Sequence, residues 1–261
     1  MVMNCNLPSD IDLTKLDSTI FDIDVYNNTG VFILRNYIPI GIVTSWQSQW
    51  DDYYNEIVQH RVIDSANPVN ISKLPTTGEL ATLYLNDYIV SLAKVIHGND
   101  VALYNYRFVI KDKYNTNEVM LHQDSCYHLG NLNKCSFFIP MYPVGPFNGG
   151  LEFYPGTHHY GYLGDAGEVN PDSFEQKWQK IAPTVNPGDL IIMNSHIWHG
   201  SPINTSGVDR IVIDIITQPA NDPTGEILLA GEWKTKLRYS KNNLTQYFKT
   251  SRILKLKNNG L

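Results

Sequence analysis

The sequence predicts a mainly β fold with flanking helices. Three observations carry that expectation. Two apolar stripes at helical spacing lie before residue 100. From Val101 the apolar period falls to two. Short segments rich in β-formers, separated by Gly and Pro, then recur as far as Thr217.

Each element follows from local pattern. Residues 30–38 are rich in β-branched and aromatic side chains and read as a strand stopped by Pro39. Trp46, Trp50, Tyr53 and Ile57 fall on one helical face, so residues 44–59 read as a helix turning aromatics inward. Leu85, Ile89, Leu92 and Ile96 repeat that spacing, and Gly98 stops the second helix. In 101–111, Ala102, Tyr104, Tyr106, Phe108 and Ile110 are expected on one face, with Asn105, Arg107, Val109 and Lys111 on the other. Further strands are expected at 135–139, 150–154, 189–193 and 210–217. In the last, Arg210, Val212 and Asp214 share a face. An arginine inside an apolar strand is costly to bury unless paired, and either a carboxylate ligand or Asp214 would serve.

The 261 residues are expected to form one domain, with a β core at about 101–217 and helical support at about 40–98. Residues 157–187 read as an insertion, a lid or specificity loop, with a short helix over 173–181. Residues 234–257 mix Lys and Arg with spaced apolar positions and read as a solvated helix or a homodimer contact. The net charge of −6 gives no electrostatic support for nucleic-acid binding. Three cysteines, Cys5, Cys126 and Cys135, form neither a disulfide framework nor a CxxC metal motif. The N-terminus lacks the pattern of a signal peptide, and no stretch approaches the ~20 apolar residues of a membrane span. A cytoplasmic protein with reduced thiols is expected.

The chemistry is carried by four residues. His122 and Asp124 lie two apart in Met120-Leu-His-Gln-Asp124, so from one strand end both can face inward. His199, in Trp198-His-Gly-Ser201, must come from another strand. His196 competes as the third ligand, but His199 is preferred because Gly200, Ser201 and then Arg210 follow it. Two imidazoles and a carboxylate occupy one face of an octahedral Fe(II) and leave positions for a bidentate co-substrate and O₂. Arg210 then offers a two-pronged donor to a carboxylate. A His-x-Asp alone arises by chance, whereas the whole constellation points to an iron oxygenase that uses 2-oxoglutarate.

These residues resemble the phytanoyl-CoA dioxygenase family of Fe(II)/2-oxoglutarate oxygenases, which includes ectoine hydroxylase. Four segments carry the resemblance: Thr29-Gly-Val-Phe-Ile-Leu-Arg-Asn-Tyr-Ile38, Leu121-His-Gln-Asp124, Asn148-Gly-Gly-Leu-Glu-Phe-Tyr-Pro-Gly-Thr-His158, and Pro187-Gly-Asp-Leu-Ile-Ile-Met193 continued through His199-Gly-Ser201 to Arg210. The resemblance implies a double-stranded β-helix (jelly roll, cupin-like) core with iron at one mouth. It implies Fe(II) on His122, Asp124 and His199, Arg210 paired with the distal carboxylate of 2-oxoglutarate, and Ser201 hydrogen-bonding it. Lys111 and Arg107 are further candidates beside the co-substrate. Gln123, His158, Tyr106 and Trp198 are candidate contacts for a small-molecule substrate. An intact Asp124 favours hydroxylation over halogenation, since halogenating relatives carry a small residue there. Desaturation, epimerisation or ring closure at the same iron, or a cupin-like metal-binding protein without co-substrate, are the alternatives. No Lys/Arg cluster lies near the site to receive a CoA ester.

Overall fold

The computed structural model describes residues 11–60, 70–71, 75–130, 133–162 and 178–238. Strands dominate: β1 (Asp17–Ser18), β2 (Val31–Leu34), β3 (Asn70–Ile71), β4 (Val101–Lys111), β5 (Val119–His122), β6 (Cys135–Pro140), β7 (Glu152–Tyr154), β8 (Leu190–Asn194), β9 (Trp198–Ser201), β10 (Arg210–Pro219) and β11 (Ile227–Ala230). Among the described residues, the helices α1 (Ile23–Thr29), α2 (Ile40–His60) and α3 (Asp87–His97) precede β4.

The strands form two sheets. The larger runs β1-β2-β8-β6-β10-β4-β11, with β3 also on β4, and the smaller runs β5-β9-β7. Chain neighbours such as β5 and β6 sit in different sheets, which is the jelly-roll crossing pattern. Val31, Ile33, Phe138, Ile191, Met193 and Val212 from the large sheet meet Phe153 from the small one in a buried inner layer. The opposite face of the large sheet packs on α2 and α3 through Trp46, Trp50, Ile89, Leu92, Phe108, Phe137 and Ile213. The two aromatic-bearing helices therefore cover an outer face, as their spacing predicted.

The structure corrects several local expectations. Residues 23–29 form α1, capped at its start by the Asp22 carboxylate on Asp24 N (3.0 Å) and Val25 N (3.1 Å). Gly30, at φ 77°, ends it, so the first strand of that segment begins at Val31. Leu85 is exposed in a 3₁₀ turn before α3. In β4 the alternation reverses part-way. Ile216 pairs with Asn105 and Thr217 with Leu103, leaving Tyr104 as the extra residue of a bulge. Val101 and Leu103 thus share the helix-covered core with Tyr106, Phe108 and Ile110, whereas Tyr104 turns to His128 and Lys134. Residues 163–177, including most of the 173–181 helix, lie outside the described residues, as do Cys5 and 239–261. Residues 234–238 of the expected C-terminal helix carry no helix.

Trp50 is 1% exposed, and its ring centroid stands 4.5 Å from that of Phe108. Trp50→Ala is expected to lower unfolding free energy by about 3–5 kcal/mol in a urea titration. Ile20→Ala, at a 77% exposed position, is expected to stay within about 0.5 kcal/mol of wild type.

Candidate metal centre

The small sheet builds the centre. β5 and β9 run antiparallel with His122 directly opposite His199, and β7 places Phe153 opposite His199 on the other side. The two imidazole centroids are 4.3 Å apart, and Phe153 stacks against His199 at 6.3 Å. Gln123 keeps extended dihedrals (φ −110°, ψ 132°) past the end of β5. The two-residue alternation therefore carries Asp124 to the same side as His122 before a 3₁₀ turn begins. His122 Nε2 lies 3.5 Å and His199 Nε2 3.9 Å from Asp124 Oδ1. Ligand atoms of all three lie within 4.8 Å of one another, and all three residues are buried.

The ring orientations suit metal ligation. His122 Nδ1 faces Met120 O at 2.7 Å, and His199 Nδ1 faces Ile197 O at 3.0 Å. Each Nδ1–H donates to the carbonyl two residues back, which turns Nε2 toward Asp124. Asp124 Oδ2 is buried without a partner. Burial would raise the Asp124 carboxyl, but His199 and His122 prevail and hold it well below the usual carboxylate range. Burial, with His122 beside it, pulls the His199 imidazole down to about 4. The site therefore presents an anionic oxygen and a neutral imidazole at neutrality. For His122, burial works downward, yet the Asp124 contact wins and raises it. This donor set fits a divalent ion of borderline character such as Fe(II). His196 stays outside the group: its Nδ1 is 2.9 Å from Asn133 Oδ1.

Beyond the three ligand candidates the inner face continues into a cationic end. Ser201 follows His199 by two on β9, so it faces the same way roughly 6–7 Å further on. Its Oγ is buried and unpartnered. Arg210, 1% exposed, spends Nη1 on Gly149 O at 2.8 Å. Among the described residues its Nε and Nη2 have no partner. Asp214, the acid that might have paired with it, binds Arg107 instead at 2.7 Å. Lys111, paired with Arg210 across β4 and β10, donates to Ser201 O at 3.1 Å and to Pro202 O. Gly149 is required between them. Its φ is 74°, and a Cβ would sit 2.7 Å from Pro202 O and 3.1 Å from Lys111 Cδ.

The remaining candidates separate. Arg107 stands in the electrostatic field of Asp124, His122 and His199, with Nε committed to Asp214. Gln123 is fully buried, and its amide donates to Gly161 O and His196 O at 2.7 Å each. It pins two loops around the centre and is not available to a substrate. Tyr106 faces the helix-covered core and donates to Leu80 O at 2.5 Å. Trp198 alternates with His199 and packs with Tyr154 on the outer face of the small sheet. His158 reaches Asn27 O at 2.9 Å at the end of α1, with its ring against Gly30. None of these three presents its side chain to the inner face. Sequence reasoning missed the Gly149 carbonyl and Tyr127, whose ring meets His122 edge-on at 5.9 Å. The double glycine in the 148–158 segment was the available signal for the first.

Asp214 is 0% exposed and Arg107 is its ion-pair partner. Asp214→Ala is expected to cost about 3–5 kcal/mol in denaturant unfolding, by stranding the guanidinium. Arg107→Met added to it should restore much of that loss, giving a large coupling energy in the double-mutant cycle.

A family model described as phytanoyl-CoA dioxygenase matches residues 45–212. No curated protein matches the sequence. Among solved structures the chain is similar to EctD from S. alaskensis, determined with 2-oxoglutarate and 5-hydroxyectoine: TM-score 0.65, 18% identity, 85% of this chain and 88% of that one. It is similar to the carbocyclase SnoK from nogalamycin biosynthesis: TM-score 0.64, 18% identity, 77% and 84% covered. It is also similar to the epimerase SnoN, in complex with Fe3+, alpha ketoglutarate and nogalamycin RO: TM-score 0.63, 14% identity, 77% and 83% covered. At these identities the likeness speaks for the fold. The family match spans more than half of the chain, and the protein belongs to the phytanoyl-CoA dioxygenase family.

Proposed function

We propose that the protein is an Fe(II)- and 2-oxoglutarate-dependent dioxygenase that hydroxylates an unactivated C–H of a small metabolite. His122, Asp124 and His199 would hold the metal, and Arg210 and Ser201 the distal carboxylate of the co-substrate. The observation that carries this reading is Arg210: a guanidinium 1% exposed, with Nε and Nη2 unpartnered among the described residues, on the large sheet that faces the His–Asp–His group across the buried inner layer. A buried cation without an acid is strongly unfavourable, and a carboxylate ligand supplies the missing partner. A cupin-like protein that binds metal alone would have no use for it.

Bound there, Fe(II) with 2-oxoglutarate and O₂ supplies an oxidant strong enough to take hydrogen from carbon, with succinate and CO₂ released. The chain's part is orientation and exclusion of water. The backbone carbonyls of Met120 and Ile197 fix both imidazoles in one tautomer. Phe153 and the inner apolar layer wall the ligands from solvent on one side. Gly149 O holds one arm of Arg210 so that the other arm faces the incoming carboxylate. The intact Asp124 keeps a carboxylate in the ligand set, which favours hydroxylation over halogenation.

A second reading keeps the same iron site and ends in epimerisation, desaturation or ring closure. The similarity in fold to the epimerase SnoN and the carbocyclase SnoK keeps it in play. Product analysis separates the two readings.

Succinate formation from 2-oxoglutarate is expected in the presence of Fe(II) and O₂, and should vanish in Asp124→Ala. Arg210→Met is expected to raise the KM for 2-oxoglutarate roughly 10- to 100-fold, the loss of one or two charge-assisted hydrogen bonds. Bound metal, measured by elemental analysis, should be unchanged in that variant. Equal KM in wild type and Arg210→Met would remove Arg210 from the co-substrate site.

A further inference from the structure

Two basic side chains, Lys111 and Arg210, lie at the end of the site away from the His–Asp–His group. Lys111 and Arg210 face each other across β4 and β10 and flank Gly149. Both are buried, at 0% and 1% exposure. Among the described residues no acid lies within ion-pair distance of either. Asp112, next in the chain, is turned away to Tyr54 and to the amides of Tyr114 and Asn115. Glu152 engages Lys180 at 3.3 Å, and Glu118 is exposed; both act on Lys111 only through space.

The hydrogen bonds of Lys111 show what its amine can do. Nζ donates to two carbonyls, those of Ser201 and Pro202. A neutral amine has two N–H donors, and these two bonds use both of them. An ammonium has a third donor, which in this pocket has no protein acceptor. We infer that Lys111 is a second cation for the distal carboxylate of the co-substrate, and that arrival of the carboxylate draws a proton from solvent onto its amine. The inference rests on the co-substrate reading above.

The electrostatics agree. Burial first, and then the neighbouring Arg210, bring the Lys111 amine down to about 7. Arg210 itself is lowered only to about 10 by burial and stays charged. The sign follows from linkage. Below pH 7 the ammonium is already formed, and affinity is flat. Above it, the free protein carries the amine and the complex the ammonium, so binding takes up a proton. Affinity then falls by up to about tenfold per pH unit.

The test is calorimetric titration of 2-oxoglutarate into anaerobic Fe(II)-loaded protein at pH 8.5, in buffers of different ionisation enthalpy. The slope of heat against ionisation enthalpy gives the protons exchanged. Uptake approaching one proton per co-substrate is expected in wild type. Lys111→Met should bind more weakly with no uptake, and Lys111→Arg should bind with no uptake and no pH dependence between 7 and 9. Binding with no uptake in wild type, or with uptake unchanged in both variants, overturns the inference and leaves the co-substrate reading intact. No binding of 2-oxoglutarate at all overturns the co-substrate reading and this inference with it.

Discussion

A guanidinium cannot rest in an apolar barrel on one hydrogen bond, and Arg210 is placed in that position. Much of the site's architecture serves to keep it there. The left-handed turn at Gly149 offers it a carbonyl, Lys111 crowds it from the next strand, and Ser201 supplies an unspent hydroxyl on the facing sheet. Asp214, the acid that could quench it from four residues along the same strand, is instead taken by Arg107. The fold thus pairs Arg107 with an acid and leaves Arg210 open among the described residues, the feature on which the proposed carboxylate site rests.

The metal centre depends on register in the same way. His122 sits opposite His199 because β5 and β9 pair in one frame, and a slip of a single residue would exchange the His199 side for the Trp198 side. The backbone carbonyls of Met120 and Ile197 then set both rings. Gln123, between the two β5-side ligands, clamps the loops at Gly161 and His196 from the other face. Metal affinity is therefore expected to depend on residues that never touch the metal.

The site was legible where the signal was local. His122 and Asp124 follow from strand period, and the choice of His199 over His196 follows from what comes after it. The two flanking helices were visible in their aromatic and aliphatic stripes. What failed was non-local or hidden in backbone geometry. Tyr106 looked like a neighbour of Tyr104, but the bulge at Tyr104 sends the two rings to opposite faces. Trp198 adjoins His199 in sequence and His158 opens the expected lid segment, yet β alternation and the end of α1 carry them away. Residues 23–29 lack a strong helical stripe, and their helix rests on the Asp22 cap and Gly30. The carbonyl partner Gly149 O was marked only by the double glycine of its segment.

The most direct test of the account is an anaerobic titration of metal-free protein with Fe(II) and then 2-oxoglutarate, followed in the visible spectrum. A metal-to-ligand charge-transfer band that saturates at one co-substrate per iron is expected. Stoichiometric iron on the protein with no such band would contradict it, because the open cation at Arg210 would then serve some other anion.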